Sequence, residues 1–227
     1  MKRFIVSGLL ALASASAAAA DVRTLSGFTA IDAEDRLTVT VSVGDRHAVE
    51  VTGSDADRVR TRVDGRTLYI EDARRPWFGR SPRLDAHVQV TAPAVDALSA
   101  ARGAQLTADL ADHPCTDLIV GASMGGSVNV AGARCNTVSS SASMGGDLRI
   151  AGACHRHDVS ASMGAYVRSD DLQCETVDAS ASMGGDIRAF ASRSYDATAS
   201  MGGSINVAGG AGGRDISTSM GGSVDTR

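Results

Sequence analysis

One stretch of the sequence decides the fold, and it recurs through the second half of the chain: Ser141-Ala142-Ser143-Met144-Gly145-Gly146-Asp147-Leu148. Its Ser-Met-Gly core occurs six times in steps of 18 to 20 residues, at Met124, Met144, Met163, Met183, Met201 and Met220. A branched apolar residue stands four positions after each of these methionines. A weaker copy at residues 101–106 lies 22 residues upstream of the first. Self-similarity at a period of about 20 residues is typical of a solenoid.

Each repeat contains two stretches that alternate in polarity, as residues 127–130 and 177–183 do. Alternation with a period of two predicts β-strands. The glycines that follow the methionines, and the Ala-Gly-Ala segments at 131–133 and 151–153, predict turns between the strands. Strands of successive repeats must stack in parallel, because each coil needs its neighbours to bury its apolar side. The sequence therefore predicts an all-β fold, a right-handed parallel β-helix with 19–20 residues in most coils.

The alternation also assigns faces to the side chains. The second and fourth positions before each Met are predicted to point inward: Ala142 and Ser140, Ala161 and Val159, Ala181 and Ala179. The same parity places Met inward, so we expect Met to fill the wider end of the core, a role that suits its flexible side chain. The alternative is a ladder of thioethers, which are suitable ligands for Cu(I).

Two outward columns carry charge. The fifth position before Met is acidic in four successive coils, at Asp158, Asp178, Asp196 and Asp215, and the other sheet carries Arg149, Arg168 and Arg188. Stacked coils place the carboxylates about 4.8 Å apart, which makes the acidic column a candidate calcium site. A solvated acidic face is the favoured interpretation, because repulsion between exposed charges at that distance is only ~1 kcal/mol in water.

The four cysteines each lie nine residues before a Met, at Cys115, Cys135, Cys154 and Cys174, so they form one column across four adjacent coils. Neighbouring coils, about 4.8 Å apart, satisfy the Cα separation of a disulfide, whereas second neighbours at about 9.6 Å do not. Only the pairs Cys115–Cys135 and Cys154–Cys174 then bridge all four cysteines. A column of free, buried thiols is the alternative.

Composition excludes some classes of function. The 227 residues carry a formal charge of −4, and Lys2 is the only lysine. A charge near zero argues against a polybasic nucleic-acid binder.

The positive start, the apolar run and the small residues before Ala20 are typical of a secretory signal peptide cleaved after that residue, which predicts a periplasmic or secreted protein. No later stretch is apolar enough to predict a membrane-spanning helix.

The predicted organisation has three parts. Residues 1–20 form the signal peptide, residues 21–98 an N-terminal β region that starts and caps the solenoid, and residues 99–227 the repeat β-helix.

A protruding loop is predicted within residues 72–83, where Trp77 and Phe78 are flanked by Arg74, Arg75 and Arg80. An aromatic and arginine tip of this kind anchors interfaces, although it would equally well fold back and cover one end of the coils. An open edge after the last Met coil favours self-association or a partner.

Further features resemble a known family. They are Phe28-Thr29-Ala30-Ile31, Gly44-Asp45, Val90-Thr91-Ala92-Pro93, Leu98-Ser99-Ala100 and the Ser-x-Gly-Gly repeats. Over about residues 26–227 the chain resembles the putative auto-transporter adhesin, head GIN domain family. The resemblance implies a β-helical fold, secretion and no established molecular function, and it carries no site residues.

We therefore expect a non-catalytic protein with a binding or surface-structural role, no cofactor, and a protein or a cell-surface glycan as partner. The alternative is a carbohydrate-active β-helix enzyme, such as a polysaccharide lyase or hydrolase. Such an enzyme needs clustered carboxylates. Asp147 and Asp186 share a column but lie two coils apart, with Tyr166 between them.

Overall fold

A computed structural model describes residues 21–25, 27–74, 83–111 and 114–226. A short 3-10 turn, Ala56–Arg58, separates the fourth and fifth strands. The strands in these ranges are β1 Asp21–Arg23, β2 Ala30–Ala33, β3 Thr38–Val43, β4 Ala48–Thr52, β5 Val59–Asp64, β6 Thr67–Asp72, β7 His87–Ala92, β8 Ala97–Ala100, β9 Gln105–Asp109, β10 Pro114–Ala122, β11 Ser127–Ala142, β12 Asp147–Ser162, β13 Tyr166–Ser182, β14 Asp186–Ala199, β15 Ser204–Ala208, β16 Gly213–Thr218 and β17 Ser223–Thr226.

All of these strands belong to one sheet that curls into a β-solenoid of about six turns, so the predicted solenoid fold is confirmed. Strands β11 to β14 each run through most of one coil and pair in parallel with the coils before and after. Chemically equivalent residues therefore stack in register, as Leu148 does between Val128 and Val167.

The corners of the coils differ from the predicted turns. Gly132 and Gly152 lie inside the continuous strands β11 and β12, where the pairing register shifts. A bulge of this kind bends a strand without interrupting the sheet. Gly152 has a φ of +144°, and a Cβ there would collide with the carbonyl oxygen of Ala133 in the neighbouring coil. Glycine at this corner is thus required both by the backbone conformation and by the close approach of two coils.

The core consists of inward columns of small and branched side chains. The six residues named at the second and fourth positions before Met are all buried, with exposures between 1% for Ala181 and 5% for Ala179. His157 occupies a column with Val138 and Val177 and is fully buried. Its Nε2 lies 2.8 Å from the hydroxyl oxygen of Ser140, while its Nδ1 has no hydrogen-bond partner.

The predicted position of the methionines is wrong. All six lie in the tight turn that follows the inward strand, and five of them are between 45% and 47% exposed. The alternation ends at the turn because Met adopts a positive φ, as in Met144 at +49°, and the parity of an extended strand no longer applies. Packing inside the coils therefore does not explain these residues.

The first half joins the same sheet with a different pattern of pairing. Strands β2 and β3 stack in parallel on β8 and β9, and thereby on the coils that follow. Strand β4 runs antiparallel to β7 and to β1, and β5 and β6 form an antiparallel hairpin. Within the described ranges, no helix is long and apolar enough to cross a membrane.

Candidate binding site

A groove of about 980 Å³ crosses four coils on the outer side of the cysteine column. It begins at the corner bulges of β11 and β12, where Gly132 and Gly152 lie. The residues that line it are Gly132, Arg134, Cys135, Asn136, Gly152, Ala153, Cys154, His155, Gln173, Cys174, Glu175, Phe190 and Ser192. The groove is open to solvent rather than enclosed.

Strand register brings the lining residues together. Arg134, Ala153 and Gln173 are cross-strand neighbours in three successive coils. The next coil is shorter at its corner, so Phe190 becomes the partner of Gln173 although the two are 17 positions apart. The shortening places Phe190 next to Gln173 in the lining of the groove.

The charged centre of the groove is Glu175. Its Oε1 lies 3.0 Å from Nδ1 of His155, and its Oε2 accepts a hydrogen bond of 2.9 Å from the guanidinium of Arg193. The hydrogen bond from Arg193, followed by that from His155, lowers the pKa of Glu175. The carboxylate is therefore ionised at neutral pH and held in place by two side chains from neighbouring coils.

This combination of groups suits a polar, uncharged or weakly charged ligand. Asn136, Gln173 and Ser192 supply amide and hydroxyl groups, Glu175 supplies acceptors, and Phe190 supplies an apolar surface. Glycoside hydrolysis commonly uses a pair of carboxylates. Glu175 is the carboxylate among the described lining residues, and Asp147, on another face, is bound at 2.8 and 3.0 Å by Arg168.

The acidic column is in register as the alternation predicts, with Asp178 between Asp158 and Asp196 and with Asp215 beyond. Arg156 forms ion pairs with both Asp158 and Asp178, so one protein cation is shared by two of the four carboxylates. Nowhere in the described ranges do three or more His, Cys, Asp or Glu side chains form a group that could hold a metal ion. The calcium site stays a prediction that the geometry does not favour.

The cysteine column carries two disulfides, Cys115–Cys135 and Cys154–Cys174, with Cα separations of 4.4 and 4.5 Å. Each bond joins adjacent coils across a sequence separation of 20 residues. Cys135, Cys154 and Cys174 are all less than 9% exposed. The three cysteines are also lining residues, so the groove runs directly over the largely buried disulfides.

Most of the predicted aromatic contact tip, namely Trp77, Phe78, Arg75 and Arg80, lies outside the described residues. Arg74 is described, and its exposed guanidinium donates to Asp57 at 3.1 Å. At the other end of the solenoid, Ile216 is 45% exposed on β16. Self-association through that edge stays a prediction.

The groove itself was not predicted from the sequence. Its corner residues, such as Phe190, follow no repeating motif because the coils differ in length there, although the three cysteines of its lining belong to the predicted column. One signal was available in the sequence. The shortest coil carries the aromatic Phe190 at its corner, where the preceding coil carries polar residues.

The structure is similar to several solved proteins, all at low identity. A putative adhesin from Bacteroides fragilis is 17% identical, with a TM-score of 0.83 over 94% of this chain and 98% of that one. A putative lipid binding protein from Parabacteroides distasonis is 16% identical, with a TM-score of 0.65 over 94% and 98% of the two chains. A putative adhesin from Parabacteroides merdae is 13% identical, with a TM-score of 0.65 over 94% and 97%. These likenesses show the fold alone.

No curated protein matches the chain significantly by sequence. The family model of the putative auto-transporter adhesin, head GIN domain, matches residues 27–211, which is most of the chain. The protein therefore belongs to the putative auto-transporter adhesin, head GIN domain family.

Proposed function

We propose that the protein is an exported, non-catalytic binding protein whose groove over the cysteine column takes a cell-surface glycan. The observation that carries this proposal is the Glu175 carboxylate, held by Arg193 and His155 inside a cleft that also contains amide groups and Phe190. Sugar hydroxyls need both acceptors and donors at fixed positions, and a sugar ring presents an apolar face that an aromatic side chain can cover.

Export is supported by two features of the chain. Residues 1–20 have the pattern of a signal peptide, and disulfides persist mainly in oxidising compartments. Fractionation of the native cell, with N-terminal sequencing of the exported protein, is expected to give a chain that begins at Asp21. A chain that remains in the cytoplasm with residues 1–20 attached would contradict export.

A screen of the full chain against immobilised bacterial and host glycans tests the binding proposal. Gln173→Ala removes a polar contact and Glu175→Gln replaces a charged acceptor by a neutral amide, each a change of about 1 kcal/mol or more, so we expect affinity to fall by roughly fivefold to tenfold. Thr198→Ala, on the hydroxyl-rich outer face of the same sheet, is the matched control and should bind normally.

Equal binding by all three variants would place the ligand elsewhere on the molecule. The carbohydrate-active alternative has its own readout in the same assay, because a lyase or hydrolase would shorten the bound glycan. We expect the glycan to be recovered intact. A shortened product, lost in Glu175→Gln, would overturn the non-catalytic assignment.

A further inference from the structure

The Ser-Met-Gly-Gly turn has the same geometry in successive coils. Met124 has a φ of +49° and Gly125 one of +74°, and the amide of Gly126 donates to the carbonyl of Ser123 at 2.8 Å. Two successive residues with positive φ define a type I′ turn, for which Asn and Gly are the preferred residues. Met in the left-handed region costs roughly 1–2 kcal/mol, so the backbone does not favour it there.

An equivalent turn one coil earlier shows that methionine is not required. Arg102 occupies the same position with a φ of +54°, and Gly103 follows with one of +82°. The Arg102 side chain donates to Glu34 at 2.7 Å, which explains its presence. The turn thus accepts another long side chain where that side chain has a partner. A side chain that is exposed, conformationally unfavourable and repeated six times calls for a reason of its own.

Backbone hydrogen bonds hold the six turns in one column. The amide that follows each of the first five column methionines donates to the carbonyl of the Met in the next coil, as Gly125 does to Met144 at 3.1 Å and Gly145 to Met163 at 3.2 Å. The same bond links Gly164 to Met183, Gly184 to Met201, and Gly202 to Met220. Adjacent thioether side chains therefore start from backbone positions about 4.8 Å apart.

We propose that the methionine column binds soft monovalent cations, of which Cu(I) is the biological example, each held between the thioethers of two adjacent coils. Thioether sulfur is a soft, uncharged ligand that selects Cu(I) over hard cations. The backbone spacing of about 4.8 Å is close to twice the ~2.3 Å of a zinc–thiolate bond, so flexible thioether side chains that start one coil apart can bring two sulfurs to one cation. Six methionines form three separate adjacent pairs, so the column holds up to three cations.

The test uses the full chain and Ag(I), a soft monovalent ion that is stable in air, followed by Cu(I) under anaerobic conditions. Calorimetry gives the number of ions bound, and the NMR signals of methyl-labelled Met side chains report which thioethers bind. We expect about three tightly bound ions and shifts of all the column signals. Mg²⁺ at the same concentration should shift none of them.

Two triple variants with the same number of changes separate a ladder from isolated thioethers. Met144→Leu with Met183→Leu and Met220→Leu leaves three methionines without an adjacent partner. Met124→Leu with Met144→Leu and Met163→Leu leaves three adjacent ones. We expect the first variant to bind Ag(I) at least tenfold more weakly than the intact chain, and the second to keep one ion at nearly full affinity. Met1 and the five histidines are present in both variants, so any Ag(I) that they bind does not contribute to the difference between the two.

Leucine preserves the shape of an exposed side chain, so both variants should fold, and circular dichroism checks this. Equal affinity in the two triple variants would overturn the ladder. Binding by the intact chain that leaves the Met methyl signals unshifted would overturn it as well.

Discussion

The first-half strands and the repeat coils belong to one sheet but are stabilised by different interactions. In the first half, antiparallel strand pairs are accompanied by an ion pair to a fully buried carboxylate, Arg58 with Asp72 at 2.8 Å. In the repeat coils, identical backbones stack in register and two disulfides join adjacent coils. Repetition lets small side chains form a core, because each coil offers its neighbour the same surface.

The two regions also bury opposite kinds of titratable group. Burial raises the pKa of Asp32, Glu34 and Asp35 in the first half. Burial lowers the pKa of His157 in the repeat coils to about 4. A carboxyl with a raised pKa stabilises the fold most at low pH, whereas a histidine with a lowered pKa stabilises it most above its ordinary pKa. Acidification therefore acts on the two regions in opposite directions.

The largest effect is expected from breaking the ion pair of the first half. Arg58→Met leaves the fully buried side chain of Asp72 without its cation, which should reduce the free energy of unfolding by about 3–5 kcal/mol. Chemical denaturation measures the change. Arg60→Met removes an exposed partner of Glu71 on the same hairpin, where 59% of the arginine side chain is accessible, and should cost less than about 1 kcal/mol. Similar losses in the two variants would refute this contrast.

Reduction of the disulfides should act on the repeat coils alone. Each bond closes a loop of 20 residues, worth roughly 3 kcal/mol in the chain-entropy model. Thermal unfolding of oxidised and reduced protein should show this loss. Non-reducing peptide mapping should recover Cys115 linked to Cys135 and Cys154 linked to Cys174. A link between Cys135 and Cys154 would contradict the pairing.

The stability of the repeat coils should fall as the pH falls from about 6.5 to about 4. In that window the unfolded chain protonates His157 and the folded chain does not, because Asp158 only partly offsets the effect of burial. The loss is on the order of 3 kcal/mol and is complete near the folded pKa. The double variant Ser140→Ala with His157→Val removes both hydrogen-bonding partners together, so it should lose this slope without leaving a buried hydroxyl unpaired. An unchanged slope of unfolding free energy against pH would show that His157 does not titrate in this way.

The smallest effect is expected at the methionine turns. Met144→Gly removes a residue with a positive φ from an exposed turn, so stability should rise by up to about 1 kcal/mol or stay constant. A buried Met would instead lose 2–5 kcal/mol or so on truncation. Denaturant melting of this variant distinguishes the two situations, and a loss of the larger size would restore the core-packing interpretation.

The sequence by itself determined the coil, its period and the pairing of the cysteines. Each depends only on spacing along the chain, because a period near 20 residues makes Cys115 and Cys135 neighbours whatever the details of the corners. Inward positions such as Ala142 and Ala161 were likewise predictable, since alternation is reliable wherever the backbone stays extended.

The tertiary structure alone decided the direction of the methionines and the place of the groove. Parity ends where the backbone leaves the extended region, and the type I′ turn begins one residue before the parity rule would have buried Met144. The groove arises where bulges shift the register by different amounts in successive coils, which brings Phe190 opposite Gln173. Counting along one chain predicts columns within regular strands, but the register between coils at a bulge depends on how neighbouring backbones pack.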